Sequence, residues 1–191
     1  MKKIITTLVI ALCVVGSAMA QDELSFERKQ AIDSLALEKV RDLSKYVKIV
    51  GSKETSFSEA NRVIDRAEEL FMSDAEIGVS SLAANQITYY RVRKYFEHLM
   101  RLNYDRVEIE WYNIEYVSDL QCQPDGTYVG VITIFQTFRG YDAEGNLVYK
   151  DPTKKDITVY VKRKETQIGG RTIGFWDVLL GDMRVKETSN R

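Results

Sequence analysis

TYVGVITIFQTFRGYDAEGNLVYKDPTKKDITVYVKR, residues 127–163, holds two long runs rich in β-branched and aromatic residues, separated by the segment 142–146. Such runs read as strands, and Asp142, Gly145 and Asn146 supply turn chemistry between them, so the stretch predicts an antiparallel pair over 127–141 and 147–163. Both runs far exceed the usual strand of ~5 or 6 residues, and long strands in a small domain twist and curl. The sheet they build is therefore expected to be strongly bent, with a concave face. Pro152 lacks an amide donor, which predicts an edge, a bulge or a break in pairing within the second run.

Outward from this pair, residues 107–117 and 172–185 read as two further strands, and Pro124-Asp125-Gly126 supplies another turn. Upstream the apolar period changes from two to between three and four. Ile32, Leu35, Val40, Leu43, Val47 and Val50 line one face of a helix over 24–50, and Gly51 follows as a left-handed C-terminal cap. Ser56 and Glu59 have the spacing of a capping box, opening a second helix with Phe57, Ala60, Ile64, Ala67, Leu70 and Phe71 on its apolar face. Ile77, Val79 and Ser81 alternate as a short strand, and Thr88 can cap a third helix that turns Val92, Tyr95, Phe96, Leu99 and Leu102 inward. These helices are the only material available to fill the concavity. No repeat or flexible linker divides residues 21–191, which read as one domain.

The first twenty residues have a separate logic. Lys2 and Lys3, an apolar run from Ile4 to Val15, and Ala18-Met19-Ala20 form the three parts of a secretory signal peptide, which predicts cleavage after Ala20 and an exported, periplasmic or extracellular protein. Cys13 follows Leu12, a branched residue that suits lipid attachment poorly. Removing the leader leaves 171 residues and shifts the formal charge from −1 to −3. Cys122 is then the only cysteine, so no intramolecular disulfide forms, and a small buried hydrophobe is the expected role. Acidic and basic residues are evenly spread through both halves, which argues against a nucleic-acid partner, and Lys162-Arg163-Lys164 reads as a solvated strand end. No segment after the leader is apolar enough to span a membrane.

Chemical motifs are sparse. His98 is the only histidine and falls near the boundary of the third helix's packed face, so a Ser-His-Asp arrangement would have to use it. His98, Cys122 and the carboxylates lack the close-spaced pairs of a metal site, and Gly169-Gly170 lacks the lysine and helix of a phosphate-cradling loop. Neither a metal nor a cofactor is expected. Among the aromatics, Tyr95, Trp111, Phe135 and Trp176 are the candidates to line a small pocket, because Tyr and Trp combine apolar area with one polar handle.

Helix, helix, short strand, helix and then long antiparallel strands is the element order of the nuclear transport factor 2-like superfamily, which the chain resembles over 24–188. Glu68-Glu69-Leu70-Phe71-Met72-Ser73-Asp74-Ala75-Glu76-Ile77 is similar to its helix-to-strand passage, and Tyr95-Phe96-Glu97-His98-Leu99 to its third helix. Residues 174–183, GFWDVLLGDM, are similar in style to a terminal strand of small exported bacterial proteins. The resemblance implies an α+β cone: three N-terminal helices packed on a strongly curved antiparallel sheet. That fold hosts isomerases, dehydratases, hydrolases and non-enzymatic binding domains, so the fold alone selects no activity. Its steroid-isomerase branch implies a Tyr donor and carboxylates inside the cone, for which Tyr46, Asp74 and Asp119 are residues of the right type. The expectation drawn here is a non-catalytic binding domain for a protein, a glycan or a small apolar ligand, with self-association through the sheet as one route to a homodimer. The alternatives are a small enzyme using acid/base chemistry in the cone and a structural subunit of an envelope assembly.

Mass spectrometry of the exported protein should give Gln21 as its first residue. An acylated Cys13 at the mature terminus would overturn both the cleavage site and the soluble export.

Overall fold

The computed structural model describes residues 24–81 and 86–188; the signal-peptide assignment to residues 1–20 lies outside them. Helix α1 (Phe26–Gly51) and helix α2 (Phe57–Glu68) precede strand β1 (Glu76–Ser81) and strand β2 (Gln86–Arg91). Helix α3 (Val92–Met100) then leads into β3 (Arg106–Cys122), β4 (Tyr128–Tyr141), β5 (Leu147–Ile168) and β6 (Arg171–Thr188). The strands form one curved sheet in the order β2-β1-β6-β5-β4-β3. All neighbours pair antiparallel except β1 with β6, which run parallel through Ile77 and Met183, so the sheet is mixed rather than wholly antiparallel. The α+β cone of three helices on a curved sheet is the architecture the element order implied.

Local sequence accounts for most boundaries. Ser25 accepts from Arg28 N at 3.4 Å to start α1, and Ser56 accepts from Glu59 N at 3.2 Å to start α2, each satisfying a donor that the first helical turn leaves open. Two close glycines turn β5 into β6: Gly169 and Gly170 have φ of 58° and 78°, the left-handed region that tight hairpins demand.

Several expectations fail for identifiable reasons. Gly51 is the last helical residue and does not adopt a left-handed cap; Ser52 follows it in an extended conformation. An added Cβ at Gly51 would lie 3.4 Å from Ile109 Cδ1 and 3.5 Å from Leu99 Cδ1, so the position is set by close packing. Leu35 is exposed because helix phase gives its intended place to Ala36, and Phe57 is exposed at the first position of α2, while Ala60, Ile64 and Ala67 are buried as expected. Thr88 caps no helix. It pairs with Val79 in the β1–β2 hairpin, and α3 starts four residues later behind Arg91, whose side chain makes no capping bond. Cys122, expected to be a small buried hydrophobe, is exposed at the end of edge strand β3, which has a neighbouring strand on one side only.

Curvature arises from extra residues on β3 and β6. β3 carries three register shifts against β4, the first spanning Asn113, whose φ is 48°. β6 carries two more against β5. Each inserts residues on one strand only and bends it. Helix α1 accordingly packs against both β3 and β6, although β4 and β5 separate them in the sheet. The core between helices and sheet contains Val40, Leu43, Val47, Ile64, Phe96, Ile132, Ile134, Ile157 and Leu180, all with almost no solvent exposure. Phe96 and Leu99 are buried as expected from their helical positions, whereas Phe71 is buried beyond the end of α2 at Glu68, where it bridges to Leu180 instead of lying on the helix face.

Phe96 is wholly buried and packs edge-on to Tyr95 with centroids 5.2 Å apart. Phe96→Ala should lower unfolding free energy by ~3–5 kcal/mol in chemical denaturation, the range for an aromatic removed from a packed core. A loss below about 1 kcal/mol would mean that α3 is not seated in the concavity.

Candidate functional site

β5 runs unbroken through Pro152, which pairs with Thr137 of β4 and lies one residue past the Thr153–Thr188 pair with β6. Proline is tolerated there because that flank of the strand is a local edge. The consequence is a continuous alternation. Asp151, Thr153, Lys155, Ile157, Val159 and Val161 are all buried, and the residues between them are half-buried. The concave face of one strand therefore passes from an aliphatic core at Val161 to charged groups at Lys155 and Asp151.

At that charged end the helices do not fill the cone. A cavity of about 330 Å³ remains, walled by β1 (Val79, Ser80), α3 (Tyr95, His98, Leu99), the α3–β3 connection (Leu102, Tyr104) and the inner faces of β3, β4 and β5. Tyr104, Phe138 and Tyr149 form an aromatic cluster on its wall, with centroids 5.7–6.3 Å apart. Gly140 makes the cluster fit: a Cβ there would come within 2.6 Å of the Tyr104 ring, so only glycine lets the ring lie on β4. His98 stacks on Tyr90 at 5.4 Å.

The polar groups are concentrated on β5. Ser80 Oγ donates to Asp151 Oδ2 at 2.7 Å, and Thr153 Oγ1 donates to Asp151 Oδ1 at 3.1 Å. Both carboxylate oxygens are thus held by hydroxyls. Lys155 is 1% exposed, and its ammonium has no hydrogen bond or ion pair among the described residues. Burial pushes its pKa down to about 8, against which the Asp151 charge pulls upward. Tyr95 is buried in the same wall, and burial pushes its phenol well above the ordinary tyrosine range. Gln136 is fixed by Trp111, whose Nε1 donates to Gln136 Oε1 at 3.0 Å.

The four aromatic candidates do not converge. Tyr95 lines the cavity directly, and Trp111 reaches it through Gln136. Phe135 stacks on Tyr112 at 5.8 Å on the face of the sheet opposite Ile134 and Gln136. Trp176 packs edge-on to Tyr128 at the far end of the sheet, beside a depression of about 440 Å³ shared with Cys122, Asp125, Lys162 and Arg163. That depression is larger but has no buried charged group, so the cone cavity is the stronger site. Tyr46, Asp74 and Asp119 are not in the cavity wall. Tyr46 packs against the outer part of the core, the Asp74 carbonyl accepts from Arg91, and Asp119 is exposed and ion-paired to Lys29 at 2.8 Å, which lowers its pKa. The residues that sequence reasoning missed are Asp151 and Lys155. Their parity is legible in the period-two pattern ending at Val161, which reaches Lys155 without crossing Pro152, and an edge at Pro152, one of the three readings open to that residue, carries it on to Asp151. Parity alone does not say which inward positions face a cavity, so neither residue stood out. No group of side chains suited to a metal ion occurs among the described residues.

No protein-family model and no curated protein sequence matches the chain. Among solved structures, a Novosphingobium aromaticivorans protein named "putative scytalone dehydratase" is similar at 12% identity and a TM-score of 0.44, covering 86% of this chain and 91% of that one. A type 2 hexachlorocyclohexane dehydrochlorinase, LinA, is similar at 14% identity and a TM-score of 0.39, covering 84% and 91%. The type 3 LinA of Novosphingobium barchaimii gives 15%, 0.39, 84% and 92%. The likeness is one of chain outline.

Lys155 ties stability to pH. Its folded pKa of about 8 lies below the ordinary 10.5, so between those values the unfolded chain binds more protons and stability rises with pH. The full rise from this group is ~3 kcal/mol, at 1.36 kcal/mol per pKa unit. Tyr95 acts oppositely above pH ~10, because its raised pKa keeps the folded phenol protonated while the unfolded one ionises. Denaturation curves should therefore show stability increasing from pH ~8 to ~10, and Lys155→Met should remove that increase while raising stability below pH ~8.

Proposed function

We propose that this chain is an exported domain that holds a small, largely apolar molecule in the mouth of its cone. The observation that carries the reading is the unfilled cavity of about 330 Å³ at the end of an otherwise packed interior. Its volume falls at the lower end of ligand pockets, and its lining has their usual character: a mainly apolar wall with a few placed polar groups. Tyr104, Phe138 and Tyr149 offer faces and edges to a planar or alkyl body, and Ser80, Gln136, Asp151 and Lys155 supply polar groups in the same wall. The export reading rests on the leader pattern in residues 1–20, and no described helix is long and apolar enough to cross a membrane.

A second reading, acid/base catalysis in the same cavity, is favoured by one specific feature. A lysine with a pKa of about 8 beside a carboxylate is within the range where an amine exchanges protons near neutral pH. Turnover of an ester or enolisable ketone that Asp151→Asn abolishes without unfolding the protein would promote this reading over simple binding.

The binding reading is tested with N-phenyl-1-naphthylamine, a neutral apolar dye that brightens in dry sites. Saturable one-site binding is expected, weakened about tenfold or more by Leu102→Trp, which fills the cavity mouth, and unchanged by Tyr112→Ala on the outer sheet face. Loss of binding in Tyr112→Ala with retention in Leu102→Trp would move the site to the outer face and end the cone reading.

A further inference from the structure

We propose that Lys155 is an anchor for a carboxylate, so that the molecule held in the cone is an apolar monocarboxylate. The inference rests on the cone-binding reading and adds the ligand's charge and headgroup. Lys155 and Tyr95 are both buried, both line the cavity, and neither has a hydrogen-bond partner among the described residues. Buried donors without acceptors are rare, because the lost hydration is not replaced. Asp151 does not fill the role. No hydrogen bond or ion pair joins its carboxylate to the Lys155 ammonium, and it acts on Lys155 only through its charge. The adjacent inward position on β5 is Ile157, so an aliphatic residue at 155 would continue the core without that penalty.

What completes such a site is a group that only accepts and that carries one negative charge. A carboxylate has two oxygens, one for the ammonium and one for the phenol, and no hydrogen to leave unpaired. A phosphate dianion fits less well, since the single cation is already partly offset by Asp151. The titratable groups facing Lys155 across the cavity are Asp151 on its own strand, Tyr95 and His98 on α3, Tyr104 from the α3–β3 connection and Tyr149 on β5. The other walls, from β1, β3 and β4, contribute Ser80, Ile109, Gln136 and Phe138, none of which titrates. Above pH ~8 the amine loses its charge, and the preference for an anion should go with it.

Calorimetric titration with 2-naphthoate and 2-naphthamide, two ligands of nearly equal shape, reads the charge preference directly. The wild-type protein at pH ~6.5 should bind the acid at least about tenfold more tightly than the amide, and the gap should close by pH ~9.5. Lys155→Met should equalise the two ligands while still binding N-phenyl-1-naphthylamine, which confirms that the variant is folded with its cavity open. Lys155→Gln gives the same comparison with a polar, uncharged side chain. Equal wild-type affinity for acid and amide would overturn the anchor, as would a preference that persists in both variants. Tighter binding of 1-naphthyl phosphate than of 2-naphthoate would overturn the carboxylate assignment. A borohydride-stable adduct of 2-naphthaldehyde at Lys155, with no preference for the acid, would replace the anchor with a carbonyl-reactive amine. Failure of the neutral dye to bind the wild-type protein would instead remove the cone reading on which the proposal rests.

Discussion

Side chains along a strand alternate between faces, and β5 is unbroken from Leu147 to Ile168. Once Ile157, Val159 and Val161 are locked into the core, Lys155, Thr153 and Asp151 have no choice of face. A slip of one residue would carry all six to the other side of the sheet. The energetics favour the observed register. Burying three aliphatic side chains contributes ~1.5–3 kcal/mol each, which outweighs the ~3 kcal/mol that the buried ammonium of Lys155 costs. The core therefore holds a cation where, on its own account, it would not stay.

Curvature decides how much room that cation has. The inserted residues on β3 and β6 bend the sheet around α1, so the narrow part of the cone is filled by Val40, Leu43, Phe96 and their neighbours. Helix α3 ends at Met100, and the chain leaves it through Leu102 and Tyr104 rather than crossing the opening. The space between that exit and the inner faces of β4 and β5 is the cavity. Gly140 extends the effect, since its missing side chain lets Tyr104 lie flat on β4 and face Phe138 and Tyr149. A core that forces a charge inward and a helix that stops short of covering it are the two conditions for a site. Neither involves a sequence motif.

Apart from one strand, the order of elements, the length of the strands, the helix faces and most of the core were legible from residue 24 onward, because they follow from local periodicity and from capping at Ser56. Strand β2 was not legible. Ile87, Thr88, Tyr89 and Tyr90 are held as a strand by pairing with β1, a non-local contact that outweighs the helix start suggested by Thr88. Gly51 and Cys122 were misread for the same kind of reason: one is small because Leu99 and Ile109 press on it, and the other is exposed because β3 is an edge. In each case the deciding neighbour is distant in the chain.

The sequence by itself determined an α+β chain with three amphipathic helices and long strands that had to curve, since period and length are properties of the chain alone. Parity from Val161 turns Lys155 inward without crossing Pro152, but whether Asp151 follows it depended on how the strand passes Pro152, and that was settled by where β6 ends beside it. Only the assembled sheet, with β4 pairing on one flank and a local edge on the other, could accommodate a residue lacking an amide donor without losing register. The tertiary structure alone thus brought Ser80, Tyr95, Asp151 and Lys155 from β1, α3 and β5 to one cavity, because no local pattern encodes the meeting of side chains from separate elements.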